Sequence, residues 1–132
     1  MSAVNSVVDV AGMSKPRGVW STAIVSRPGR LVFVSGLLSK DENGEIIGVG
    51  DITAQTEQVL KNLTLAMKSA GGSLADIVRV DVYVRDISKF AEIHAVRQRY
   101  FPENPPASTM VEVSSLTDER CLIEITAIAV IP

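Results

Sequence analysis

Hydrophobic and polar positions change their period several times along this chain, and the longest regular stretch lies near the middle. Apolar residues recur there at spacings of three and four, which is typical of an amphipathic helix; they are Val59, Leu60, Leu63, Met67 and Ala70. Either Asp51 or Thr53 can cap its start. Gly71 and Gly72 are suited to end it. The pattern therefore predicts a helix over residues 53–70.

Strict alternation follows in residues 77–85, IVRVDVYVR. It places four valines on one face, namely Val78, Val80, Val82 and Val84. The other face carries Arg79, Asp81, Tyr83 and Arg85. Alternation with a period of two predicts a half-buried strand.

Shorter apolar runs complete the set of predicted elements. We expect strands over residues 18–25, 30–35, 108–113 and 121–131, and a second helix over residues 87–101. The turn at residues 26–29 predicts a hairpin between the first two of these strands. The resulting order is ββαβαββ, which favours one sheet with helices on a single face.

The chain is predicted to form one domain, residues 1–132, in which residues 1–14 are a loose arm or a short edge strand. A sheet covered on one face only exposes the other face, and an exposed apolar patch of this kind is typical of an interface. The alternating strand argues partly against this, because its second face is polar enough to be solvated. Oligomerisation is the favoured interpretation.

Composition limits the classes of function. Hydrophobic residues make up 46% and charged residues 21% of the chain, and the net charge is -2. Basic residues are spread along the chain, whereas nucleic-acid binding requires a concentrated basic surface. We therefore expect no nucleic-acid partner. Apolar runs are too short for a membrane span, and no signal peptide is recognisable, so the expected location is the cytoplasm.

Cysteine and histidine each occur once, which makes a metal site improbable and leaves no expected cofactor. Cys121 lies in an apolar run, where a free cysteine usually behaves as a small buried hydrophobe. A reactive thiol is the less favoured alternative.

Ordered short segments resemble the Rid (reactive intermediate deaminase) family over about residues 15–132. The matching pieces are GVWSTAI (18–24), LVFVSG (31–36), the helix with Gln55, Asn62 and Leu63, VDVYVRD (80–86), PA (106–107), VEV (111–113), IEI (123–125) and AIAV (127–130). The resemblance implies an α+β, chorismate-mutase-like fold: a six-stranded, mostly antiparallel sheet with two helices packed on one face. It further implies a homotrimer with ligand clefts between subunits. The implied activity is hydrolysis of reactive enamines and imines to 2-oxo acids and ammonia.

Two positions depart from the family motif. Ser108 stands where active members have an arginine that holds the substrate carboxylate, and serine brings no positive charge. Thr126 stands where an acidic residue is thought to position the attacking water; threonine is a poor general base. Glu124 lies two residues earlier on the same strand face and is a possible substitute, although a structural role is favoured for it. These three are the candidate catalytic positions.

Other candidates concern ligand binding. Trp20 replaces the aromatic residue of the family segment and could stack on a planar ligand, or it could equally fill the core or an interface. Met110 would narrow the pocket or make it more apolar. Gly36 and Leu37 close the family-like strand and complete this apolar group.

Basic residues could restore the missing charge. His94 and Arg97 are neighbours on the predicted second helix, where they could bind a carboxylate, and His94 could transfer protons. In the alternative interpretation they pair with Glu92, Glu103 or a neighbouring subunit. Arg17 is a further candidate anion contact.

Three functional hypotheses follow from the resemblance and its departures. The first is an enamine or imine deaminase acting on small reactive metabolites at intersubunit clefts, with 2-aminomuconate deaminases of aromatic degradation as a variant. The second is a non-catalytic trimer that binds small metabolites or a partner protein. Ribonuclease activity, claimed for some relatives, ranks last because the sequence shows neither a basic groove nor an acid/base pair.

Overall fold

The computed structural model describes residues 5–132, so the first part of the predicted arm lies outside the described residues. Its strands are β1 (Asn5–Val7), β2 (Ile24–Ser26), β3 (Arg30–Leu37), β4 (Ile77–Val84), β5 (Ala107–Glu112) and β6 (Ile123–Ile131). Its helices are α1 (Ile52–Ser69) and α2 (Phe90–Tyr100), and short 3-10 turns precede β4 and α2.

The main sheet has four strands in the order β3-β6-β4-β5. Strand β6 pairs antiparallel with β3 and β4, whereas β4 and β5 are parallel. Strands β1 and β2 form a separate two-stranded antiparallel sheet. The α+β class with two helices on a mixed sheet is therefore confirmed, and a single six-stranded sheet is not.

The predicted hairpin between residues 18–25 and 30–35 is wrong. Strand β2 pairs with β1, and the segment before it runs beside β5 instead. Ser21 forms a parallel bridge with Ala107, and its backbone N–H donates to the Pro106 carbonyl at 3.1 Å. Ser21 thus joins the edge of the main sheet beside β5, where its backbone N–H finds its partner, rather than pairing with β3.

Helix α1 lies within one residue of its predicted bounds. Asp51 is the N-cap, and its carboxylate accepts a hydrogen bond from the Ala54 backbone N–H at 3.0 Å. Gly71 follows the helix with a φ of 91°, a left-handed conformation that glycine adopts without steric cost. The N-cap at Asp51 and the glycine after the last turn thus explain where this helix begins and ends.

The hydrophobic core lies between the helices and one face of the main sheet. Strand β4 contributes Val80, Val82 and Val84 to it, all buried. The expected alternation fails at Val78, which is only half-buried. A β-bulge between Ile77 and Arg79 shifts the register, so Ile77 takes the buried place.

Among residues 5–132, no helix covers the other face of the main sheet, which we call the open face below. Strand β3 exposes Leu31 (62%) and Phe33 (72%) there, because the alternate residues Val32 and Val34 pack into the core. Val111 on β5 is also exposed, at 42%. Exposed apolar surface is therefore present on this face, although on β3 and β5 rather than on the valine-rich β4.

Candidate functional site

Ser108, the first of the candidate catalytic residues, lies near the start of β5 on the helix-covered face. Its register partner is Val80, whose side chain is buried in the core. Arg97 reaches it from α2, and the guanidinium Nη2 donates a hydrogen bond to Ser108 Oγ at 2.9 Å. The structure thus places the positive charge of Arg97 beside the uncharged side chain of Ser108.

Arg97 is itself almost completely buried, with 1% of its surface exposed. The same Nη2 donates to the Val19 carbonyl at 3.0 Å. Burial lowers the pKa of the Arg97 guanidinium to about 10, so it still carries its charge at neutral pH. Among the described residues Arg97 forms no ion pair with Glu92 or Glu103, the pairing expected in the alternative interpretation; Glu92 Oε2 lies 3.9 Å from Lys89 Nζ instead.

A cavity of about 300 Å³ opens beside Ser108, and we call it the Ser108 cavity. Its wall includes Lys15, Trp20, Ser21, Arg79 and Ser108. Both cations have acidic neighbours outside the lining, at 3.2 Å from Lys15 to Asp9 and 2.8 Å from Arg79 to Asp81. Within the described residues the lining itself contains no carboxylate. Such a wall suits a small anionic ligand.

His94 lies next to this group on α2. Its ring stacks on Phe90 at 3.8 Å between centroids and meets Trp20 edge-on at 6.1 Å. Both ring nitrogens are buried without a hydrogen-bond partner among the described residues. Burial, and secondarily the charge of Arg97, lowers the pKa of His94 below its ordinary value. The imidazole is therefore neutral at pH 7.

Gly18 makes this aromatic packing possible. A Cβ at this position would overlap the Trp20 ring and lie 2.8 Å from His94 Nε2. A side chain larger than hydrogen would push the indole away from both His94 and the Ser108 cavity. Only the absence of a side chain lets the backbone approach both rings.

Glu124 and Thr126 lie on the opposite side of the main sheet. Their register partners on β4 are Tyr83 and Asp81, which face away from the core, and residues directly opposite share a face. The Glu124 carboxylate covers Gly36, where a Cβ would overlap it. Within one protomer, these two candidates are therefore separated from Ser108 by the thickness of the sheet.

The remaining candidates divide between the two sides. Met110 is half-buried and packs against the core from the helix-covered face. Gly36 and Leu37 line a different cavity, of about 590 Å³, beside the amide of Asn62. Arg17 is exposed and lies outside the lining of both cavities.

Sequence reasoning missed Lys15, Ser21 and Arg79 as residues of the Ser108 cavity. The basic segment at residues 15–18 indicated an anion contact near the cavity, but Arg17 is the residue predicted from it and Lys15 is the one that lines the cavity. Arg79 was read only as part of a solvated strand face, because nothing local shows that β5 and residues 20–22 pack beside it.

Comparison with known proteins shows the family of this chain and agrees with its fold. The family described as Endoribonuclease L-PSP matches residues 11–131. A RutC family protein of Pyrococcus abyssi is 44% identical over 116 residues, covering 87% of this chain and 88% of the relative. The 3-aminoacrylate deaminase RutC of Acinetobacter baylyi is 38% identical over 104 residues, covering 79% and 82%.

Solved structures give the same result. A Rid family protein of unknown function from Yersinia pestis superposes with a TM-score of 0.89 at 32% identity, covering 97% of this chain and 99% of the other. RidA from a Psychrobacter species gives 0.73 at 31% identity, covering 96% and 99%. The chain therefore belongs to the Rid family, also described as Endoribonuclease L-PSP.

Among the described residues, no three histidine, cysteine, aspartate or glutamate side chains converge where they could hold a metal ion. No helix there has both the length and the apolar character needed to cross a membrane. Cys121 is fully buried, and burial raises the pKa of its thiol.

Proposed function

We propose that this protein is a deaminase that hydrolyses small reactive enamines or imines carrying a carboxylate. An enamine first tautomerises to the imine by gaining a proton at its β-carbon and losing one from nitrogen. Water then adds to the carbon of the C=N bond, and the C–N bond of the resulting carbinolamine breaks to release ammonia and a carbonyl product. The 3-aminoacrylate deaminase among its relatives supports this reaction class. No cofactor is required for it.

The observation that carries the proposal is the cationic wall of the Ser108 cavity. Lys15 and Arg79 line it, each paired with an aspartate outside the lining, Asp9 and Asp81. The buried Arg97, which has no carboxylate partner among the described residues, lies behind Ser108. Such an electrostatic arrangement would hold a carboxylate and stabilise negative charge that develops during the reaction. The small volume favours metabolites over polymers such as RNA.

We further propose that the active form is a homotrimer. The exposed side chains of Leu31 and Phe33 on the open face provide apolar surface that another copy could cover. Assembly could also bring Glu124 or Thr126 of one subunit towards the Ser108 cavity of another. In that arrangement Glu124 or Thr126 would orient the attacking water in the Ser108 cavity, a role that neither residue can take from its own face of the sheet.

A specific observation favours one alternative, a non-catalytic member that binds small metabolites. Within a protomer, Glu124 and Thr126 lie on the face opposite Ser108. His94 is neutral at pH 7, but its nitrogens are buried beneath Trp20 and Gly18. A binding function would need the cationic cavity but no group that activates water.

The test is release of ammonia from 3-aminoacrylate, 2-aminoacrylate and 2-aminomuconate, each generated in solution. We expect acceleration over the spontaneous rate for at least one of them. A neutral imine without a carboxylate is the control, and its hydrolysis should stay at the spontaneous rate. Failure to accelerate any of the three would contradict the deaminase proposal and favour the binding function.

A further inference from the structure

Arg97 occupies an energetically unusual position. It is the only charged side chain in the buried set of the described residues. Burying a charge is costly unless an opposite charge compensates for it. No carboxylate of residues 5–132 lies within ion-pair distance of this guanidinium, as its two hydrogen bonds end on neutral oxygens. The buried charge therefore lacks a counter-ion in the chain itself.

Both of these neutral oxygens belong to the wall of the Ser108 cavity or border it. Ser108 lines the cavity directly, and the Val19 carbonyl precedes Trp20, another lining residue. Arg97 itself is not part of the lining. Arg97 thus lies behind the cavity wall and connects the Val19 carbonyl to Ser108. Its charge can act on a ligand in the cavity only through these two groups.

The Ser108 hydroxyl is suited to transmit this charge. A hydroxyl can accept hydrogen bonds and also donate one. Its oxygen accepts from Arg97 Nη2 at 2.9 Å, which leaves its own proton to be directed into the cavity. Hydrogen bonds in a chain polarise one another, so the hydroxyl becomes a stronger donor to an anion.

We propose that Arg97 is a positioning residue that acts through Ser108, and that the ligand of the resulting site is a small monocarboxylate. The carboxylate accepts the Ser108 proton inside the cavity, while Arg97 supplies the compensating positive charge from the protein interior. The inference rests on the proposed function only in equating this ligand with the substrate. Arg97 on α2 would then supply, through Ser108, the positive charge that an arginine on β5 supplies in the motif that this chain resembles.

Binding can be followed directly, because Trp20 is the only tryptophan of the chain and lines the cavity. We would titrate the full-length protein with propanoate and follow the Trp20 fluorescence. Propanamide, a neutral molecule of nearly the same shape, is the ligand control. Propanoate should change the fluorescence saturably, whereas propanamide should not.

Two pairs of variants separate the contributions. Ser108→Val removes the hydroxyl and should weaken propanoate binding by about tenfold or more, whereas Ser108→Thr keeps the hydroxyl and should retain binding. Arg97→Met should weaken it by a similar factor. Arg99→Met is its matched control, because Arg99 lies on the same helix but pairs with Glu57 at the surface, and it should bind propanoate like the parent protein.

The proposal is overturned if the parent protein shows no preference for propanoate, or if Ser108→Val binds it as well as Ser108→Thr does. A folded Arg97→Met protein with parental affinity would overturn it too. If Arg97→Met does not fold, the comparison of Ser108→Val with Ser108→Thr still tests whether propanoate binds through the Ser108 hydroxyl. Because the titration measures no turnover, binding through Ser108 without ammonia release would contradict the proposed function alone.

Discussion

At the residue scale, His94 provides a direct probe of the site. It is the only histidine of the chain, so its resonances can be assigned without ambiguity. Burial and the nearby Arg97 charge both disfavour the imidazolium, which lowers the pKa of His94 below 6.5. An NMR titration of the ring should therefore give a pKa below 6.5. Arg97→Met should raise it, because one of the two causes is removed.

The same shift makes folding stability depend on pH. Between the lowered pKa of folded His94 and the unfolded value near 6.5, the unfolded chain binds more protons than the folded one. Stability contributed by neutral His94 is present above pH 6.5 and is lost as pH falls through the folded pKa. Urea unfolding of His94→Asn should show a smaller loss over this interval. An unchanged loss, or a folded pKa at or above 6.5, would disprove this account.

Residue-scale chemistry could be read from the sequence only in part. The candidacy of Ser108 followed from the resemblance to the family motif, and that of Arg97 from its helical spacing to His94. Their 2.9 Å hydrogen bond did not, because it depends on how α2 packs over β5. The burial of Arg97 was equally hidden, since a charged residue on a short helix is ordinarily expected at the surface.

At the element scale, Gln55 connects α1 to the segment before β6. Its side chain is fully buried. Its Nε2 donates to the Arg120 carbonyl at 2.8 Å, and its Oε1 accepts from the Leu122 backbone N–H at 2.7 Å. Gln55→Leu would leave two buried backbone groups without partners, which should lower the free energy of unfolding by about 2–4 kcal/mol.

Urea denaturation measures this loss. Gln98→Leu is the matched control, since Gln98 is exposed on α2, and it should change the unfolding free energy by no more than about 0.5 kcal/mol. Equal effects of the two substitutions would show that the buried amide does not fasten α1 to the chain before β6.

Elements with a strong local signal were predicted well, and those that depend on distant partners were not. Helix α1 combines periodicity, the Asp51 cap and Gly71, so its bounds were nearly right. Residues 18–23 have strand-like composition but pair with residues near Pro106, far along the chain. No local pattern distinguishes that partner from the adjacent β3, which is why the hairpin was predicted wrongly.

At the scale of the whole molecule, the sheet divides the candidate residues into two groups. Ser108, Arg97 and His94 lie on the helix-covered side, and Glu124 and Thr126 lie on the open face. Within one chain the side chains of these two groups therefore point to opposite faces of the sheet. Association of subunits is one way in which a mechanism could use both groups, and this makes oligomerisation part of the functional question.

The open face also predicts how assembly can be broken. Phe33 is the most exposed of the large apolar side chains described, at 72%, and Leu31 beside it is exposed at 62%. If another copy covers this face, Phe33→Glu would bury an unpaired carboxylate, which is strongly unfavourable. Light scattering should then give about three times 14.1 kDa for the parent protein and a mass near 14.1 kDa for the variant.

Leu65→Glu is the matched control, because Leu65 is an exposed apolar residue (54%) on α1, in the helical layer on the other side of the sheet. It should leave the parental mass unchanged. A monomeric parent protein, or a Phe33→Glu variant that keeps the parental mass, would argue against assembly through the open face. In that case no neighbouring copy would bring Glu124 or Thr126 to the Ser108 cavity through this face, and the binding function would become the better explanation of the cavity.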